Sequence, residues 1–166
     1  MVRLVIDTDP GVDDAHAIMM ALAHPDVQVE ALTTVAGNVS LAPTTANACK
    51  ILDVMNKDVP VYAGASRALI ARNPFADDVH GQDGLGSCGW PESTRAVERE
   101  HAALALVRLA NENPGELTLA AIGPLTNLAL ALRLDPELPG KYKRLVLMGG
   151  AIRAMGNTTA VAEFRT

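Results

Sequence analysis

Apolar positions along this chain follow two rhythms in turn. Short, β-branched-rich runs at 4–6, 27–35, 60–63, 117–122 and 145–148 read as five strands. Between most of them the apolar residues fall at helical spacing. Ala15, Ile18, Met19 and Leu22 stripe a helix expected over 13–23, with Pro25 just beyond its end. Ala48, Ile51, Leu52 and Met55 do the same after Pro43, and Ala103, Leu106, Val107 and Ala110 within 96–113. Leu125, Leu128, Ala129 and Leu132 follow the turn at 123–127, where Pro124 sits in the tolerated first turn. Strict alternation of strand and helix predicts right-handed crossovers and one parallel sheet. The expected architecture is a single α/β domain over 1–166, an open, doubly wound, Rossmann-like sheet of strand order 3-2-1-4-5. Strand five would then be an apolar edge without blunting charges, a template for pairing, so a homo-oligomer is expected.

Composition narrows the function. With 166 residues, 49% of them hydrophobic, the chain can bury a sizeable core. A net charge of −5, with 14 Lys and Arg dispersed along the chain, offers no footprint for nucleic acid or anionic membrane. Arg108 and Arg133 interrupt the Ala- and Leu-rich runs before they reach the ~20 residues of a membrane span. Cys49 and Cys88 show neither metal-ligand spacing nor a disulfide framework, and no signal peptide precedes strand one, so a reducing cytoplasm is expected. The stretch 64–95 has little periodicity and carries His80-Gly81-Gln82-Asp83-Gly84-Leu85-Gly86. These glycines follow no strand and open no helix, so a phosphate cradle is excluded and a mobile flap is the expectation.

The chemistry concentrates where strand one ends. Asp7, Asp9, Asp13 and Asp14 put four carboxylates within eight residues, at the carboxyl end of a parallel strand, where open α/β sheets bind ligands. Strand alternation points Asp7 and Asp9 the same way, and Asp13 and Asp14 open a helix at the positive end of its dipole. Acids converging on one point would hold protons unless a cation neutralised them. An all-oxygen set favours calcium or magnesium over zinc. An EF-hand is excluded, because its fifth position is Gly11 and no Glu closes a twelve-residue loop.

The stretch Asp7-Thr8-Asp9-Pro10-Gly11-Val12-Asp13-Asp14-Ala15 resembles the signature of the calcium-dependent nucleoside hydrolases, the inosine-uridine preferring N-ribohydrolases. Thr33-Thr34-Val35-Ala36-Gly37-Asn38 and Ala162-Glu163-Phe164 match further family patterns. The resemblance covers the family's N-terminal half and implies hydrolysis of ribonucleosides to ribose and free base. It implies calcium on Asp7, Asp14 and the Ile122 carbonyl, Asp9 as general base and His80 at the nucleobase side. Asp13 and Asn38 would hold ribose hydroxyls, and Met148, Asn157 and Glu163 would line the ribose, the last two at its 5′-hydroxyl. Arg165 stands where the family has Asn, and a further calcium-binding Asp and a leaving-group His belong to the family's C-terminal half. Two alternatives stand beside this reading. One is a catalytically inert, truncated homologue that binds calcium or ribose. The other is a haloacid dehalogenase-like phosphatase with Asp7 as nucleophile, which lacks that family's continuation after Asp9.

Overall fold

The computed structural model describes residues 1–70, 77–150 and 155. Its five strands are β1 (Val2–Thr8), β2 (Val27–Thr34), β3 (Val61–Ala63), β4 (Leu117–Ala121) and β5 (Arg144–Leu147). They form one sheet of order β3-β2-β1-β4-β5, every neighbouring pair parallel, as the alternation predicts. The helices are α1 (Val12–Ala23), α2 (Leu41–Val54), α3 (Asp77–His80), α4 (Ala102–Glu112), α5 (Thr126–Leu134) and α6 (Leu138–Lys141).

Each face of the sheet carries its own core. On one, Ile6, Leu32 and Val61 pack against Ala15, Ile18 and Leu22 of α1 and Ala48, Ile51 and Leu52 of α2. On the other, Val5, Ala31, Leu117 and Leu119 meet Ala102, Leu106 and Ala110 of α4, Leu128 and Ala131 of α5, and Leu138 of α6. The register pairs Asp7 with Thr33 and Ala121, so side chains of odd number in β1 face α4 and α5, and those of even number face α1 and α2. That assignment decides what each acid can reach.

Two expectations about elements give way. The helix expected over 96–113 begins only at Ala102, because the chain before it is engaged elsewhere. Glu98 N–H donates to the Val61 carbonyl (2.9 Å) and bridges to Tyr62, extending the sheet beyond β3. Backbone used in that way cannot also close helical turns, and the His101 Nδ1 then caps the helix by accepting from Ala103 N–H (3.1 Å). The segment after α3 is not a free flap either. Asn47 Nδ2 on α2 donates to the Asp83 carbonyl (2.7 Å) and the Pro10 carbonyl (3.1 Å), and Leu85 is buried with the α1–α2 core.

At β5, Leu145, Val146, Leu147 and Met148 are 36–47% exposed, whereas Leu119 and Ala121 of neighbouring β4 are fully buried. Its apolar run thus presents both faces to solvent. No helix among the described residues is long and apolar enough to cross a membrane.

Leu106 is fully buried between α4 and the sheet, so Leu106→Ala leaves a cavity and is expected to cost about 2–5 kcal/mol. Urea unfolding of the two proteins measures it, and a loss under ~1 kcal/mol would contradict the packing described.

Candidate active site

The carboxyl end of β1 is built by a change of direction. β1 ends at Thr8, Pro10 and Gly11 turn the chain, and α1 starts at Val12 with Asp13 and Asp14 in its first turn. Asp14 serves as the inner anchor. Its Oδ1 accepts from Thr8 Oγ1 (2.7 Å), and its Oδ2 accepts from Gly11 N–H (3.1 Å) and Asn38 Nδ2 (3.0 Å). The β2–α2 loop closes over the same point. Asn38 N–H donates to Asp9 Oδ2 (2.7 Å), and Asn38 Nδ2 donates to the Asp9 carbonyl (3.0 Å). Asn38 therefore ties Asp9 to Asp14 while both are buried.

Close approach requires glycine on two sides of Asp9. A Cβ on Gly37 would lie 2.0 Å from Asp9 Oδ2, and one on Gly123 would lie 2.7 Å from Asp9 Oδ1. Any larger residue at either place would displace the carboxylate.

Electrostatically the pair is held against its preference. Burial first, then the Asp14 charge, pushes the Asp9 carboxyl up to about 8, outweighing the Asn38 N–H that favours its ionised form. Asp14 is raised as well, by burial above all, and Asp13 adds to it. A positive charge between the two would relieve both. Among the described residues no three His, Cys, Asp or Glu side chains gather as a metal cluster, so these residues offer two carboxylates and neighbouring carbonyls. That all-oxygen, mutually repelling donor set fits a hard divalent cation whose other positions are filled by water.

The four acids do not converge as their spacing suggested. Asp7 lies on the α5 side of the sheet, where its Oδ1 accepts from Thr33 Oγ1 (2.5 Å) and Asn127 Nδ2 (2.8 Å). Asp14 lies on the α1 side, held by Thr8. Strand alternation separates them, so Asp7 and Asp14 do not stand side by side as the resemblance implies, and the acid beside Asp14 is Asp9. Asp7 Oδ2 is buried with no hydrogen-bond partner among the described residues, and burial raises this carboxyl to about 6.

The remaining candidates are distributed as follows. His80, at the end of α3, is buried beside Gly11; its Nδ1 accepts from Val12 N–H (3.3 Å) and lies 3.9 Å from Asp13 Oδ1. Asp13, with a side chain 75% exposed, stands on the open rim next to it. Ile122 follows β4, its N–H donating to the Asp7 carbonyl (2.8 Å). Met148 follows β5, its N–H donating to the Ala121 carbonyl (2.9 Å), and is partly exposed. Asn157 and Glu163 lie outside the described residues.

Sequence reasoning missed Asn127 and Asn47. Asn127 read as a turn residue ahead of a helix, yet it is wholly buried with three hydrogen bonds. A polar residue amid the apolar stripe of α5 was the available signal.

Comparison with known proteins bears on family and fold. The model of the inosine-uridine preferring nucleoside hydrolases matches residues 4–165. Uridine nucleosidase 1 of Arabidopsis thaliana is 44% identical over 163 residues, covering 97% of this chain and 48% of its own length. A solved plant nucleoside hydrolase superposes with a TM-score of 0.93 at 41% identity, over 99% of this chain and 52% of that one. The purine-preferring ribonucleoside hydrolase of Gardnerella vaginalis gives 0.93 at 33% identity, over 98% and 53%. The chain spans about half the length of the curated relatives it matches. The phosphatase alternative gains nothing from these matches, and on the strength of the family match across almost its whole length the chain belongs to the inosine-uridine preferring nucleoside hydrolase family.

Proposed function

We propose that this chain carries the catalytic half-site of a nucleoside N-ribohydrolase, which splits the glycosidic bond of a ribonucleoside into ribose and free base. The observation that carries the reading is the buried, mutually destabilised pair Asp9–Asp14 at the carboxyl end of β1, clamped by Asn38. Asp9, Asp14 and the Ile122 carbonyl would hold the cation, calcium by the family resemblance. When bound, that ion supplies the Lewis acidity that makes a water nucleophilic near neutral pH.

The chain's own groups supply the rest. In its ionised form Asp9 would act as general base toward the attacking water, a contribution of roughly 10²- to 10⁴-fold. Asp13 on the rim, near His80, and Asn38 orient ribose hydroxyls so that water and the anomeric carbon meet in a reactive geometry. His80 receives the Val12 N–H on Nδ1, which leaves its proton on Nε2. Nε2 is then the donor offered to the departing base. Met148, Asn157 and Glu163 complete the ribose side in this proposal. The protein is further proposed to work in the cytoplasm as a homo-oligomer paired through β5, whose apolar residues are exposed on both faces.

Proton linkage gives the first test. Asp7 and Asp9 hold their protons more tightly folded than unfolded, so their contribution to stability is full below 3.8 and is lost as pH rises through about 6 and about 8. The thermal midpoint of cation-free protein should therefore fall between about pH 5 and pH 8.5. Calcium should raise it most at the alkaline end, where the Asp9 and Asp14 charges are least compensated. An equal calcium effect at both pH values, or none, would contradict the cation site.

The second test is turnover. Free-ribose release from uridine and inosine in the presence of calcium is expected, falling about 10²- to 10⁴-fold in Asp9→Asn. Calcium binding without any ribose release would support the inert reading instead. Release that Asp9→Asn leaves untouched would remove Asp9 from the mechanism.

A further inference from the structure

The residue that fixes the two separately built halves of the site relative to one another is not among the acids. Asn127 sits in the first turn of α5, fully buried, and its amide makes three hydrogen bonds to three different segments. Nδ2 donates to Asp7 Oδ1 (2.8 Å) on β1 and to the Thr34 carbonyl (2.9 Å) at the end of β2. Oδ1 accepts from Ala65 N–H (2.8 Å) in the loop after β3. Both amide protons are therefore used, and only a primary amide offers two donors and an acceptor from one planar group.

From those three contacts two chains of hydrogen bonds run to the site. Asp7's own backbone carbonyl accepts from Ile122 N–H (2.8 Å) and from Gly123 N–H (3.3 Å), and the second of these belongs to the same peptide as the Ile122 carbonyl assigned to the cation. Through Ala65, whose own carbonyl accepts from Ala36 N–H (2.9 Å), the loop of Ala36, Gly37 and Asn38 is held so that Asn38 N–H meets Asp9 Oδ2. Val35 N–H, donating to the Thr8 carbonyl (3.0 Å), holds the same loop from the β1 side. Gly64 makes room for the arrangement: a Cβ there would lie 2.1 Å from Asn127 Oδ1 and 2.6 Å from its Cγ.

We infer that Asn127 is a positioning residue for the cation site, setting the Ile122 carbonyl through Asp7 and the Asp9 carboxylate through Ala65, Ala36 and Asn38. The inference rests on the cation site proposed above. It adds to that site a residue that touches neither cation nor substrate. The amide does for three β-strand ends what a cap does for one helix, and its loss takes a partner from the Thr34 carbonyl and Ala65 N–H and leaves Asp7 Oδ1 with Thr33.

The test separates positioning from plain stability. Asn127→Ser removes the amide, and Gly64→Ala displaces it while keeping its chemistry, so either variant reports if the other does not fold. Leu138→Val in α6 serves as the control, because α6 leads into the amino end of β5, away from the rim. Calcium affinity is measured by titration calorimetry under conditions where all proteins are folded, and amide hydrogen exchange is followed at Asn38, Ala65 and Ile122. Asn127→Ser and Gly64→Ala are expected to weaken calcium at least tenfold and to deprotect those three amides; Leu138→Val, at a comparable loss of unfolding midpoint, should leave affinity within twofold. Unchanged affinity and unchanged exchange in a folded Asn127→Ser protein would overturn the inference. If the unaltered protein binds no calcium, the cation site itself falls, and the exchange pattern still decides whether Asn127 positions Asn38 and Ile122.

Discussion

The structure depends on keeping two carboxylates, Asp9 and Asp14, out of water and next to each other. Burial disfavours each charge and proximity disfavours both, so the arrangement stands only because its surroundings supply hydrogen-bond donors from several directions. Thr8 and Gly11 reach Asp14 from the strand and the turn, while Asn38 reaches both acids from the neighbouring loop. A site assembled this way is preorganised for a cation. A positive charge joining the pair would offset that unfavourable energy, so cation binding would be coupled to proton release.

Sheet geometry distributes the acids among different tasks. Because successive side chains of β1 alternate faces, Thr8 turns toward α1 and Asp14, and Asp7 turns toward α5 and Asn127. The motif therefore serves two purposes. Asp9, Asp13 and Asp14 form the rim, with His80 against the turn at Gly11. Asp7 belongs to the interior, where it joins β1 to β2 through Thr33 and to α5 through Asn127. Asp7 Oδ2 is buried there without a hydrogen-bond partner among the described residues, and burial raises this carboxyl to about 6.

Close packing makes the rim narrow. Gly37 and Gly123 allow backbone to pass within contact of the Asp9 carboxylate, and Gly64 does the same for Asn127. Asn47 draws the segment around Asp83 onto the Pro10 carbonyl, which seats His80 above the turn at Gly11. The loops are thereby tied to the rigid ends of strands, and the geometry of the site follows from the sheet beneath it.

The sequence by itself determined the sheet and its order, because hydrophobic period and strand–helix alternation are local properties that leave few right-handed parallel topologies. It also pointed to the carboxyl end of β1, where acids cluster and where open α/β sheets bind ligands, and the nine-residue signature named the family. What only the tertiary structure decided is which acids act together. Spacing alone aimed Asp7 and Asp9 in one direction, but the strand ends at Thr8 and the turn at Pro10 and Gly11 swings Asp9 toward Asp14. The late start of α4 was equally invisible, because Glu98 gains a partner on β3 that lies far away in sequence. Asn127 shows the same limit most clearly: its three hydrogen-bond partners lie 62 to 120 residues away, and no local pattern encodes a contact that exists only after the sheet has closed.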